Sequence, residues 1–282
     1  MDNLSKRAML VSLKISSWSA RCVDKKVTDS VLCDNQARED AGSFSKRLLE
    51  KDTLKNIAAI LNDVRKIYRE KTLAWKDGET RLLPVKFVTE FKDKMRTAEV
   101  DLDREVGIFT DSYDEYKENA KQMLNGMYNA DDYPPVEKIA SKFTITHKFS
   151  NISDPSDFRC EVSEEIKDSI KDSMKKDLEE QYKFSMKKLH ERIFSVVKHF
   201  NERLSEESPI FHKSLINNIE ELVSILPDLN FMDDDIITAL TIQIQNELCR
   251  FTPDELRENK DLRLEAAKAS ADILATMEAC YA

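Results

Sequence analysis

Glycine and proline are scarce in this chain. Four Gly, at positions 42, 78, 107 and 126, and seven Pro serve 282 residues, far below ordinary usage. Glycine-rich phosphate loops, the G-x-S-x-G nucleophile elbow and the G-x-G-x-x-G dinucleotide turn all need closely spaced glycines, and this sequence has no such cluster. Cysteine lacks pattern as well. Cys22, Cys33, Cys160, Cys249 and Cys280 are odd in number and include no C-x-x-C pair, which reads as reduced thiols with no zinc site. No apolar run approaches the ~20 residues of a membrane span, and the N-terminus lacks the order of a signal peptide. We therefore expect a soluble, cytoplasmic protein with no membrane partner.

What is abundant is helix-forming and charged. Charged residues make up 34% and hydrophobic residues 41% of the chain, enough apolar material for a real core. The longest uninterrupted pattern runs from Ser163 to Ser205 without Gly or Pro. Its apolar stripe is Ile166, Ile170, Met174, Leu178, Tyr182, Met186, Leu189, Ile193, Val196, Phe200 and Leu204, first at steps of four and then at three and four. Steps of four drift around a helix, so the first half should meet a different neighbour from the second. A second long pattern, Pro84 to Leu124, carries Phe87, Phe91, Met95, Leu102, Val106, Phe109 and Tyr113, and Asn125-Gly126 follows as its cap.

The remaining elements are shorter. Alternation over Ala8 to Trp18 predicts a strand, with candidate partners at Lys142–Phe149 and Phe158–Val162. Helices are expected over 24–34, 52–72, 209–226 (stopped by Pro227), 233–249 and from Thr252 to Tyr281. The fold class expected is mainly α: an elongated helical protein with two long antiparallel helices, about 84–124 and 163–205, and a small antiparallel β-sheet of strands about 8–17, 142–149 and 158–162. Residues 1–205 form the body in this reading, and 206–282 an acidic helical lobe.

Net charge is −9, unevenly placed. Residues 1–76 hold 16 Lys and Arg against 10 Asp and Glu, whereas residues 206–282 hold 6 against 16. Such asymmetry suits partner surfaces of opposite sign or head-to-tail contacts between copies; two solvated faces explain it equally well. Lys55, Arg65, Lys66, Arg69 and Lys71 are the candidate nucleic-acid or partner surface, with Trp18, Tyr68 and Trp75 available for stacking. Asp233, Asp234 and Asp235 are the candidate acidic partner surface, or simply a helix entry. Of the four histidines, His190 and His199 lie nine residues apart, too far to share an ion on one helix. His199, beside the apolar stripe, reads as a packing residue, and His147 as a core imidazole. Asp154 and Asp157 lack supporting ligands and suit a turn. No catalytic, cofactor or metal residue is expected.

Three stretches carry a resemblance. NLSKRAMLVSLKISSWSARCVDKKVT (Asn3 to Thr28), LNGMYNADDYP (Leu124 to Pro134) and LCRFTPDELREN (Leu248 to Asn259) together resemble an uncharacterised bacteriophage and prophage family, a domain of unknown function. Members of that family are encoded near MoxR-like AAA+ ATPases and von Willebrand A-type partners. The resemblance implies a phage protein in the host bacterial cytoplasm, with an adaptor or accessory role and no catalytic residue to carry over. The expectation is a non-enzymatic protein acting through protein–protein contacts, with a phage AAA+ ATPase or a host protein as partner, and self-associating as a homo-oligomer. The alternatives are a host-takeover or anti-defence inhibitor and a nucleic-acid binder.

Overall fold

The computed structural model describes residues 4–76, 78–157, 160–205 and 214–281. The chain divides into two compact units, each assembled from separated segments: the first from residues 1–12, 68–89 and 148–282, the second from 13–67 and 90–147. The boundary expected between 205 and 206 does not coincide with this division.

In the first unit the chain opens with a short helix, α1 (Leu4–Arg7), and enters strand β1 (Ala8–Ser16). The alternation of the sequence predicted this strand. Its partner was not predicted. β1 pairs antiparallel with β5 (Thr80–Pro84), Ala8 opposite Pro84 and Ser12 opposite Thr80, and β5 in turn pairs with β4 (Leu73–Ala74). The helical pattern expected from Pro84 does not begin there. In fact Pro84 closes the strand, where the missing N–H costs nothing, while Leu82 and Leu83 are fully buried. Between β4 and β5, Gly78 takes φ +76° and its N–H reaches Trp75 O at 3.2 Å. The sheet order is β4-β5-β1-β6, with β6 spanning Thr144–Ser150 as expected. The third expected strand is not formed by the described residues Cys160–Val162, which have no strand partner; Phe158 and Arg159 lie outside the described residues.

Five further helices complete this unit: α7 (Glu164–Leu204), α8 (Ser214–Leu229), α9 (Asp235–Glu247), α10 (Pro253–Glu258) and α11 (Lys260–Tyr281). α7 packs against α11, α8 and β4. Asn201 Nδ2 donates to Ala267 O (2.7 Å) and Ser270 Oγ (2.9 Å), and Ser185 Oγ donates to Ala74 O (2.6 Å). α8 runs through Pro227 to Leu229, two residues past the expected stop, because Leu226 and Leu229 are both fully buried. α10 opens with a capping box: Thr252 Oγ1 accepts from Glu255 N, and the Glu255 side chain accepts from Thr252 N.

The second unit contains β2 (Arg21–Val23), α2 (Lys25–Asp34), β3 (Ser45–Arg47), most of α3 (Lys55–Glu70), nearly all of α4 (Val88–Asp111), α5 (Tyr113–Leu124) and α6 (Val136–Ile139). The expected 84–124 helix is thus preceded by a strand and a 3-10 turn and is interrupted at Ser112. The left-handed position that ends it falls on Asn125 (φ 45°), not on Gly126. The core of this unit gathers Leu48, Leu61, Leu102, Phe109, Tyr113 and Phe143, with Trp18 edge-on to Tyr113. Among the described residues no helix is long and apolar enough to cross a membrane.

Candidate functional site

α7 forms because 41 residues free of Gly and Pro carry Glu164 and Glu165 in the first turn, where acidic groups complement the helix dipole. Its two halves have different fates. Every buried residue of α7 lies between Ser185 and Leu204. Over Glu164–Phe184 the apolar stripe continues but is only partly covered: Ile166 is 51% exposed, and Ile170, Met174, Leu178 and Tyr182 are half-buried. Each step of four advances about 40° around the axis, so four steps from Ile166 to Tyr182 swing the stripe through roughly 160°, too far for one neighbour to cover. In the covered half the seam passes through Val197 rather than Val196.

Beside this partly covered half runs a groove. A cavity of about 640 Å³ lies between α1, the segment after β6 and α7, rimmed by Lys6, Lys171 and Lys175 over a floor of Leu4, Ile152 and Leu178. A second cavity of about 310 Å³ shares Ile152, Ser153 and Leu178 with the first and continues past Met174 to Trp75 and Gln181. The single carboxylate of the larger cavity is already engaged. Asp154 Oδ1 accepts from Ser156 N (2.9 Å) and Ser156 Oγ (2.6 Å), and Oδ2 accepts from Ser5 Oγ (3.3 Å). The Ser156 bonds hold this carboxyl below the usual carboxylate range. Among the described residues Lys6, Lys171 and Lys175 make no ion pair. The groove therefore offers apolar floor, serine hydroxyls, three lysines on the rim of the larger cavity and a second carboxylate, Asp177, in the smaller one.

Just past the groove the chain is tied down by charge. Arg7 Nη1 reaches Phe231 O (2.6 Å) and Asp233 Oδ2 (2.7 Å), and Phe231 stands edge-on to Tyr182. Two arginines hold the C-terminal end of α3: Arg192 donates to Arg69 O (3.3 Å) and Glu70 O (3.2 Å), and Arg81 to Thr72 Oγ1 (2.6 Å) and Thr72 O (3.0 Å).

The second unit holds the one other dense charge cluster among the described residues. Lys46 is 6% exposed, and its Nζ meets Asp24 Oδ2 (2.8 Å), Asp132 Oδ2 (2.9 Å) and Met127 O (2.6 Å). Burial opposes the ammonium charge, but the bonds to Asp24 and Asp132 outweigh it and the pKa rises. Cys22 sits opposite Lys46 in the β2–β3 ladder, and burial, then Asp132, push its thiol up. The Lys46 ammonium has no lone pair, and a thiol held above its usual range carries less of the thiolate that attacks. The cluster is a staple between the β2–β3 hairpin and the loop after α5.

The residues singled out from sequence fare unequally. Lys55, Lys66 and Arg69 are exposed and Arg65 half-buried on the side of α3 away from Ile57, Leu61 and Val64. Lys55, Arg65 and Lys66 belong to the second unit and Arg69 and Lys71 to the first, and Lys71 lies over the Phe87 ring at 4.4 Å. Of the acidic trio, Asp233 is paired to Arg7. Asp234 caps α9 by accepting from Ile236 N (2.9 Å) and Ile237 N (3.1 Å). Asp235 is exposed in the first turn. His190, not His199, is the buried imidazole; burial lowers its pKa, with Asp234 partly opposing. Lys6, Lys171 and Lys175 are not among the residues that the sequence singles out. The place of Lys171 and Lys175 at i+1 from Ile170 and Met174 was the available signal. No family model, curated protein or solved structure matches the chain.

Proposed function

We propose that this protein is a non-enzymatic, phage-encoded protein of the host bacterial cytoplasm that works through protein–protein contacts, as an adaptor or accessory of a MoxR-like AAA+ ATPase. One observation carries the reading: α7 keeps a regular apolar stripe through its first 21 residues with nothing buried there. Apolar surface in so regular a pattern marks a binding face, and a helix laid against a groove or another helix is read through anchors at this spacing. α7, 41 residues long, serves in the proposal as the arm that presents this face. The resemblance to phage proteins encoded beside AAA+ ATPases supplies the identity of the partner.

The test is an affinity capture of tagged protein from infected cells after nuclease treatment, run beside an Ile166→Glu/Ile170→Glu variant. Recovery of the AAA+ ATPase by the parent and its loss from the variant is the expected result. Recovery of a host defence protein instead would move the reading to an inhibitor of the host. Equal recovery by both proteins would remove α7 as the contact.

A further inference from the structure

We infer that the lysine-rimmed groove along α7 receives the outer face of α9 from a second copy of this chain, so that two copies exchange these contacts and close as a dimer. This goes beyond the proposed function: the groove lies along the same half of α7 but begins at Lys171, past the Ile166 and Ile170 that the capture experiment tests.

α9 is apolar on both sides. Ile237, Leu240 and Ile244 are buried inward, whereas Ile236 is 42% and Ile242 54% exposed. Together with the exposed Ala239 they are spaced i, i+3, i+6, a sector of about 120° on the helix surface. Two large aliphatics on the outer face of one 13-residue helix are apolar surface without a cover. The groove is the complementary form. Its floor is aliphatic, and between Lys171 and Gln181 it extends ten residues of α7, roughly 15 Å at 1.5 Å per residue, room for the roughly 9 Å that separates Ile236 from Ile242 along their axis.

Charge selects the same pairing. Lys6, Lys171 and Lys175 make no ion pair among the described residues, and Asp235, exposed beside Ile236, makes none either. An antiparallel pairing of α7 with another α7 is disfavoured: Lys167, Lys171 and Lys175 flank the stripe on one side, and two-fold symmetry would set like charges opposite each other. Closure with two copies is part of the inference, and the two surfaces lie close together. Asp233, two residues before α9, is bonded to Arg7, next to Lys6 of the rim, and Phe231 touches Tyr182, one residue past the end of the groove. Groove and α9 entry are neighbours on one unit, so one two-fold axis makes the contact twice.

Sedimentation velocity of the purified full chain at about 100 µM, well above the micromolar range where weak dimers dissociate, tests this directly. The expected mass is twice 32.6 kDa. Ile242→Glu, and separately Lys171→Glu/Lys175→Glu, each at exposed or half-buried positions, should weaken the dimer at least ten-fold. Adding Asp235→Lys to the lysine variant should recover part of the loss, which a folding defect would not do. A parent protein at 32.6 kDa, or a dimer indifferent to both variants, overturns the inference. Either result leaves capture of the ATPase through Ile166 and Ile170 to be decided by its own experiment.

Discussion

Lys46 carries more of the second unit's organisation than any other polar side chain described. Its Nζ donates to Asp24 Oδ2 and Met127 O and stands 2.9 Å from Asp132 Oδ2, so Lys46→Met leaves two carboxylates facing each other without their cation. Removing one partner of a buried ion cluster costs about 3–5 kcal/mol, and a denaturant titration should show a loss of that order. Titration tells the same kind of story elsewhere. Burial lowers the His190 pKa from 6.5, so the folded state binds fewer protons at this site than the unfolded chain. Its contribution is complete above about pH 6.5 and lost as the pH falls below that. The drop in melting temperature between about pH 7.5 and pH 5.5 should shrink in His190→Gln. At the alkaline end the sign reverses. Burial pushes Tyr113, Tyr133 and Tyr182 from 10.0 up to about 12, so their contribution holds below pH 10 and disappears as the pH rises towards 12. An ultraviolet titration should show three of the seven tyrosines ionising late and together with unfolding.

Among elements, α7 was the most legible from sequence and β5 the least, for one reason. A 41-residue helix repeats its period eleven times, so errors at single positions average out, and the slip from Val197 to Val196 changes nothing else. Thr80–Pro84 has five residues, and a Pro at its end imitates a helix entry as well as a strand exit. His190 was passed over because burial depends on which neighbour covers which turn, and sequence period does not name the neighbour. The groove was invisible for a related reason: the walls of its larger cavity come from residues 4–6, 152–156 and 171–178, three segments with no shared pattern. The unequal halves of α7 carry their own prediction. Ile193→Ala, in the covered half and fully buried, should cost about 2–5 kcal/mol. Ile166→Ala, half exposed, should stay within roughly 0.5 kcal/mol. Amide exchange should be faster over 164–184 than over 185–204, where packing adds to the stability of each hydrogen bond.

At the scale of the molecule, charge and period foretold a mainly helical protein with a small antiparallel sheet, and that is the fold. What they did not foretell is that each unit is stitched from separated stretches of chain. α7 shares its core with α8 and α11, so a chain ending at Ser205 would leave Met186, Leu189, Ile193 and Val197 without cover. Such a truncation should lose the near-ultraviolet circular dichroism of Trp75 and collect as aggregate, whereas an independent C-terminal lobe would have left it intact. The same stitching sets a schedule. Arg7 is bonded to Asp233 across 226 residues, and a ribosome adding about 5–20 residues per second needs roughly 10–45 s to travel that far. Early in that interval β1 can pair with β5, but the core that α7 shares with α8 and α11 is still missing, so the yield of this protein in a cell should follow the supply of chaperone more closely than the strength of its promoter.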